Sequence, residues 1–159
     1  MSSARRFETR FGVYFDDLDP LGVLHNARYL LLFERAIGEF WRHLGWGGIL
    51  DMQANPDQYH MVRLNHIEYL RPVVGMRDVC VRLGLARLGR TSLTFCGTFV
   101  PPEDGQAAPY ARAVRVFVRV DPETHRPAPW TDDVRRQLTP WVDEDAGRWW
   151  FARYRHSRQ

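Results

Sequence analysis

Five stretches of this chain alternate apolar and polar residues with a period of two, and one carries a helical period. Phe7 to Tyr14 places Phe7, Thr9, Phe11 and Val13 on one side, which predicts a first strand. From Ala27 to Leu44 the apolar residues return at helical spacing, through Tyr29, Phe33, Ile37 with Phe40, and Leu44. Leu30, Leu31, Leu32 and Trp41 widen that surface, leaving a narrow polar stripe of Arg35, Glu39 and Arg42. Such a helix is expected to be buried over most of its circumference. The glycines of Gly45-Trp46-Gly47-Gly48 end it. Strands are expected at Met61–Arg71, Asp78–Leu88, Thr91–Val100 and Tyr110–Val120, with a hairpin loop at Pro101-Pro102-Glu103-Asp104-Gly105. One long helix among tightly connected antiparallel strands argues an α+β fold, with a sheet of about five strands curled around the helix.

The length of 159 residues suits one domain, and 45% hydrophobic with 26% charged residues is a globular composition. No apolar run approaches the roughly 20 residues of a membrane helix, and MSSARRFETR is followed by no apolar segment of the secretory type. The expected compartment is the cytoplasm, without membrane insertion. All 22 basic residues are arginine, so Schiff-base and P-loop lysine chemistry are excluded. Residues 1–147 hold eighteen arginines against all nineteen carboxylates, and Arg148, Arg153, Arg155 and Arg158 supply the net positive charge. A near-neutral body is a poor match to nucleic acid. Cys80 and Cys96 make neither a disulfide framework nor a zinc site, and the six histidines show no metal-ligand spacing. Both cysteines read as small strand residues, and His66 as a buried, hydrogen-bonded histidine.

The chemically dense stretch is Asp16-Asp17-Leu18-Asp19-Pro20-Leu21-Gly22-Val23-Leu24-His25-Asn26-Ala27-Arg28-Tyr29. It sets a carboxylate on a turn just before a long helix, whose first free N–H groups point their positive dipole end into the same space. Gly22 allows close approach of backbone to a ligand, and Asn26 is placed to cap the helix. Anion-stabilising donors beside a carboxylate are what hydrolysis by acyl transfer requires. Asp16 and Asp17 read as solvated turn residues.

This stretch resembles the hotdog-fold acyl-CoA thioesterases, specifically the 4-hydroxybenzoyl-CoA thioesterase-like branch. The resemblance rests on Asp19, Gly22, Tyr29 and Phe33-Glu34. Three further segments extend it: Glu68-Tyr69-Leu70-Arg71-Pro72, Leu88-Gly89-Arg90-Thr91-Ser92-Leu93, and the strand within Arg115–Pro122. The match runs from about Phe7 to Pro129, so residues 1–130 form the hotdog domain and 131–159 an extension packed on it. The fold implied is one central helix wrapped by the curled sheet. The activity implied is hydrolysis of an acyl thioester of coenzyme A, or of acyl carrier protein, without metal or organic cofactor. By the same resemblance Asp19 is the catalytic acid residue, and the backbone N–H near Asn26 polarises the thioester carbonyl. Gly22, His25, Tyr29, Glu34, Arg90 and Ser92 are the implied substrate-binding set, with Arg90 toward the nucleotide end of coenzyme A. The implied assembly is a homodimer with shared sites, or a dimer of dimers. Two other readings of the residues stay open: a hydratase or dehydratase of the same fold, and a non-catalytic acyl-thioester-binding protein. The aromatic and arginine-rich stretch 147–155 lies beyond the resemblance. It is read as a packed extension over a sheet edge or subunit contact, with stacking on nucleic acid or a membrane surface as alternatives.

Overall fold

Strand β1 (Phe7–Gly12) ends where Val13 N–H turns to the carbonyl of Arg77, 2.8 Å away, and Phe15–Asp17 closes a short 3-10 turn. A computed structural model describes residues 5–102 and 106–154; Glu103 to Gly105 of the expected hairpin loop, and Arg155 and Arg158 of the tail, lie outside the described residues. Helix α1 (Asn26–His43) follows the turn-rich loop, and Gly45, at φ +89°, supplies the left-handed residue that closes it. Strands β2 (His60–Tyr69), β3 (Asp78–Leu88), β4 (Ser92–Val100) and β5 (Ala111–Arg119) complete the sheet. Its order is β1-β3-β4-β5-β2, antiparallel throughout, so β1 and β2 are the two edges.

The α+β architecture and the five strands agree with the periodicity. The burial of α1 is narrower than expected. Tyr29, Leu32, Phe33, Ala36, Ile37, Phe40 and Trp41 are buried, whereas Glu34, Arg35 and Arg42 stay exposed, because the curled sheet covers one side of the helix only. Phe40 meets Phe95 edge to face at 5.4 Å, and Tyr29 meets Phe99 at 5.3 Å. Gly97 makes room for Phe33, since a Cβ there would lie 2.5 Å from the ring. Burying each such large apolar side chain stabilises the fold by about 1.5–3 kcal/mol.

The chain after β5 forms two further helices, α2 (Asp132–Leu138) and α3 (Arg148–Tyr154). Val134 and Leu138 of α2 extend the core under the sheet's helical face. On the opposite face, Trp149, Trp150 and Phe151 pack over Ala86, Cys96 and Val114. Gly84 seats Ala146 there and Gly147 seats against Ala86, approaches that side chains at either glycine would block. His66 also lies on this face, with its ring centroid 4.7 Å from Trp150 and Nε2 3.5 Å from the Tyr154 hydroxyl.

Candidate active site

Asp19 folds its loop around itself. Its Oδ1 accepts the N–H groups of Leu21 at 2.8 Å and Val23 at 3.4 Å, and its carbonyl accepts from Gly22 N–H at 2.9 Å. Gly22 sits at φ +74°, a conformation that a side chain would strain, and its carbonyl accepts from Gly75 N–H. Oδ1 is thereby fixed, and among the described residues Oδ2 accepts no hydrogen bond. The aspartate is held in one orientation with one oxygen free.

The start of α1 differs from the expected cap. Asn26 already has its place inside the helix, and the cap is His25, at φ −59° and ψ 136°, whose Nδ1 accepts Ala27 N–H at 3.2 Å. The physical reason is reach: the imidazole one residue earlier extends over the first turn as an asparagine side chain would. The carbonyl of His25 accepts from Arg28 N–H at 2.9 Å. Thus Ala27 and Arg28 spend their amides within the first turn, while Asn26 N–H has no partner among the described residues. That orphan donor stands at the positive end of an 18-residue helix.

These groups line an open cavity of about 680 Å³ that holds Asp19, His25, Asn26 and Tyr29 together with Pro20, Leu21, Val23 and Leu24. Tyr69-Leu70-Arg71-Pro72, the end of edge strand β2 and the segment after it, forms another wall. The sequence resemblance marked this wall as a family segment but gave no site role to Tyr69. The Tyr69 hydroxyl donates to the Asn26 carbonyl at 2.9 Å, and its ring meets Tyr29 edge to face at 5.2 Å. Burial raises both phenols above their ordinary range, so near neutrality they are donors rather than bases. Arg71 is engaged by the Ala108 carbonyl and lies over the Tyr110 ring at 4.1 Å.

The remaining candidates stand apart from this cavity within one protomer. Glu34 lies two turns along α1, 67% exposed, with Oε2 3.6 Å from the buried Arg115 guanidinium. Arg115 Nε in turn donates to Asn65 at 2.7 Å. Arg90 is exposed and Ser92 half-buried on the β3–β4 turn, where Gly89 N–H donates to the Ser92 carbonyl. Asp19 adjoins the opposite end of β3; eleven residues of strand separate the two ends, roughly 30 Å. Arg90 and Ser92 therefore do not meet Asp19 in the same protomer.

Neither cysteine is suited to nucleophilic attack: both are buried, and burial pushes the Cys96 thiol up to about 12. Among the described residues no cluster of three or more His, Cys, Asp or Glu side chains could hold a metal ion. No helix among them is long and apolar enough to cross a membrane.

A family model described as the thioesterase-like superfamily matches residues 13–138, a span that holds the whole cavity and ends at α2. Among solved structures, a Pseudomonas aeruginosa protein assigned as a thioesterase is 26% identical, covers 83% of this chain and 97% of its own, and superposes with a TM-score of 0.69. A 1,4-dihydroxy-2-naphthoyl-CoA thioesterase from Synechocystis is 18% identical, with 89% and 98% coverage and a TM-score of 0.70. A Staphylococcus aureus protein solved in complex with CoA is 15% identical, with 87% and 84% coverage and a TM-score of 0.73. No curated protein sequence matches the chain.

Proposed function

The chain belongs to the thioesterase-like superfamily, with the hotdog fold and the thioester hydrolase activity that membership carries, and from that premise we propose that it hydrolyses an acyl thioester of coenzyme A at the Asp19 cavity. The observation that carries this reading is the pairing of a free amide with a fixed carboxylate. Among the described residues Asn26 N–H at the helix start has no partner and Asp19 Oδ2 accepts no hydrogen bond, and both residues line the same cavity. The thioester carbonyl accepts from Asn26 N–H, and charge developing on its oxygen is stabilised there; losing one such donor elsewhere costs about 3 kcal/mol. Asp19 Oδ2 either attacks the carbonyl carbon or deprotonates a water that does so. By the first route the C–S bond breaks with its electron pair on sulfur, and water then opens the mixed anhydride. By the second, acid and thiolate form in one passage through a tetrahedral intermediate. The lining of Pro20, Leu21, Val23, Leu24, Tyr29 and Leu70 suits an apolar acyl group.

The working unit in this reading is a homodimer. Edge strand β2 exposes Met61 and Val62, and it ends in the Tyr69 wall of the cavity. Antiparallel pairing of β2 with β2 of a second copy brings the Arg90 turn of one protomer toward the Asp19 end of the other, where arginine suits a phosphate-bearing nucleotide.

Release of free thiol across short, long and aromatic acyl-CoAs tests the activity. Hydrolysis of at least one supports it, and no hydrolysis of any contradicts it. Light scattering tests the assembly: a monomer at micromolar concentration with full activity contradicts the shared site.

A further inference from the structure

His25 does two things with one ring. Its Nδ1 accepts the Ala27 N–H at 3.2 Å, and a ring nitrogen that accepts carries no proton. In this arrangement Nδ1 is the acceptor, and the donor edge of the ring is Nε2. Among the described residues the ring pairs with no carboxylate. Asp17 takes His25 N–H on its backbone carbonyl, while its side chain is engaged by Arg28 at 3.5 Å and by Tyr14 N–H at 3.0 Å. His25 is exposed and lines the cavity with Asp19, Asn26 and Tyr29. With Nδ1 turned to the helix, the opposite edge of the ring is turned away from it.

We infer that His25 is a second catalytic donor, whose Nε2–H joins the Asn26 N–H on the thioester carbonyl oxygen; the inference rests on the hydrolase reading above. The two donors belong to consecutive residues at one helix end, and both residues line the same cavity. A neutral imidazole set against a helix N-terminus is an effective electrophile, because it polarises a carbonyl without surrendering a proton. In the step itself, negative charge develops on the carbonyl oxygen as Asp19 or its water attacks, and both N–H groups stabilise it. The C–S bond then breaks with its pair on sulfur, solvent protonates the thiolate, and His25 keeps its proton throughout.

The test separates the cap from the donor. Serine is a good N-cap, so His25→Ser keeps a hydrogen bond to Ala27 N–H but removes the imidazole donor; His25→Ala removes both. The expected result is a Tm for His25→Ser close to the parent's, a KM within about twofold, and a kcat lowered at least tenfold on the acyl-CoA that the parent hydrolyses fastest, the scale of a lost oxyanion donor. His25→Ala is expected to lose both stability and kcat. The nitrogen-15 spectrum of the parent's His25 should show Nδ1 unprotonated and Nε2 protonated. A His25→Ser variant at the parent kcat overturns the inference and leaves His25 a cap, as does a proton found on Nδ1. A parent that hydrolyses no acyl-CoA overturns the hydrolase reading itself, which an active parent with an active serine variant does not.

Discussion

The Tyr69 hydroxyl donates to the carbonyl of Asn26 at 2.9 Å, tying the last residue of edge strand β2 to the first residue of α1. Both residues line the cavity that holds Asp19, so the bond ties the end of β2 to the helix start that bears the Asn26 amide.

Tyr69→Phe keeps the ring against Tyr29 and removes only that bond. Because Tyr69 is half exposed, the stability loss should be small, about 0.5–1 kcal/mol by urea unfolding. The kcat should fall further, on the order of tenfold, because small displacements of a positioned donor are costly to rate. Parent kcat with lowered stability would show that the bond serves only the fold.

Asp57 anchors the segment before β2 to the one before α2. Its carboxylate takes the Thr131 hydroxyl at 2.5 Å and Thr131 N–H at 3.1 Å, and pairs with Arg119 Nε at 2.9 Å, in a position 1% exposed. Asp57→Ala strands Arg119 beside a void and should cost about 3–5 kcal/mol, read from the urea midpoint. A loss below 1 kcal/mol would show that water replaces the carboxylate freely.

His60 sets a pH dependence of stability. It lies among Trp41, Phe117 and Trp130, and burial lowers its pKa below the ordinary 6.5 despite its bond to the Asp57 carbonyl. Below about 6.5 the unfolded chain therefore takes up a proton that the folded chain refuses. The contribution to stability is complete above that pH and declines as pH falls toward the lowered folded value. Unfolding free energy of the parent should drop from pH 7 to pH 5 more steeply than that of His60→Gln. Equal slopes would contradict this.

The strands and the helix were legible in the sequence because each buries one face, which leaves a regular spacing: Phe95 and Phe99 on β4 face the Tyr29 and Phe40 stripe of α1. Asp19 and Gly22 stood out in the sequence as a carboxylate and a glycine on the turn before the helix, and the turn uses both, with Oδ1 accepting from Leu21 and Val23 and Gly22 at φ +74°. The cap was not, since both His25 and Asn26 carry a side chain able to take the amide, and only backbone angles separate them. Tyr69 was hidden by distance, 43 residues from its Asn26 partner. The pair Thr131 and Asp132 did carry a helix-start signal for α2, with the Thr131 hydroxyl accepting from Val134 N–H, but it stood outside the alternating strands. The wide apolar surface of α1 overstated its burial, because Leu30 and Leu31 remain partly open beside Glu34 and Arg35.

If Asp19 carries the chemistry, its charge is indispensable to turnover. Asp19→Asn keeps the side-chain shape, and its Oδ1 can still accept from Leu21 and Val23, but the charge on the free oxygen is gone. Steady-state hydrolysis of the best acyl-CoA, measured by free-thiol release, should show kcat reduced at least about a hundredfold with KM near the parent's, the scale of a lost positioned base. Single turnover of the parent in labelled water divides the two routes, since direct attack leaves label in the Asp19 carboxylate. A variant that hydrolyses at the parent rate would show that Asp19 does not carry the chemistry.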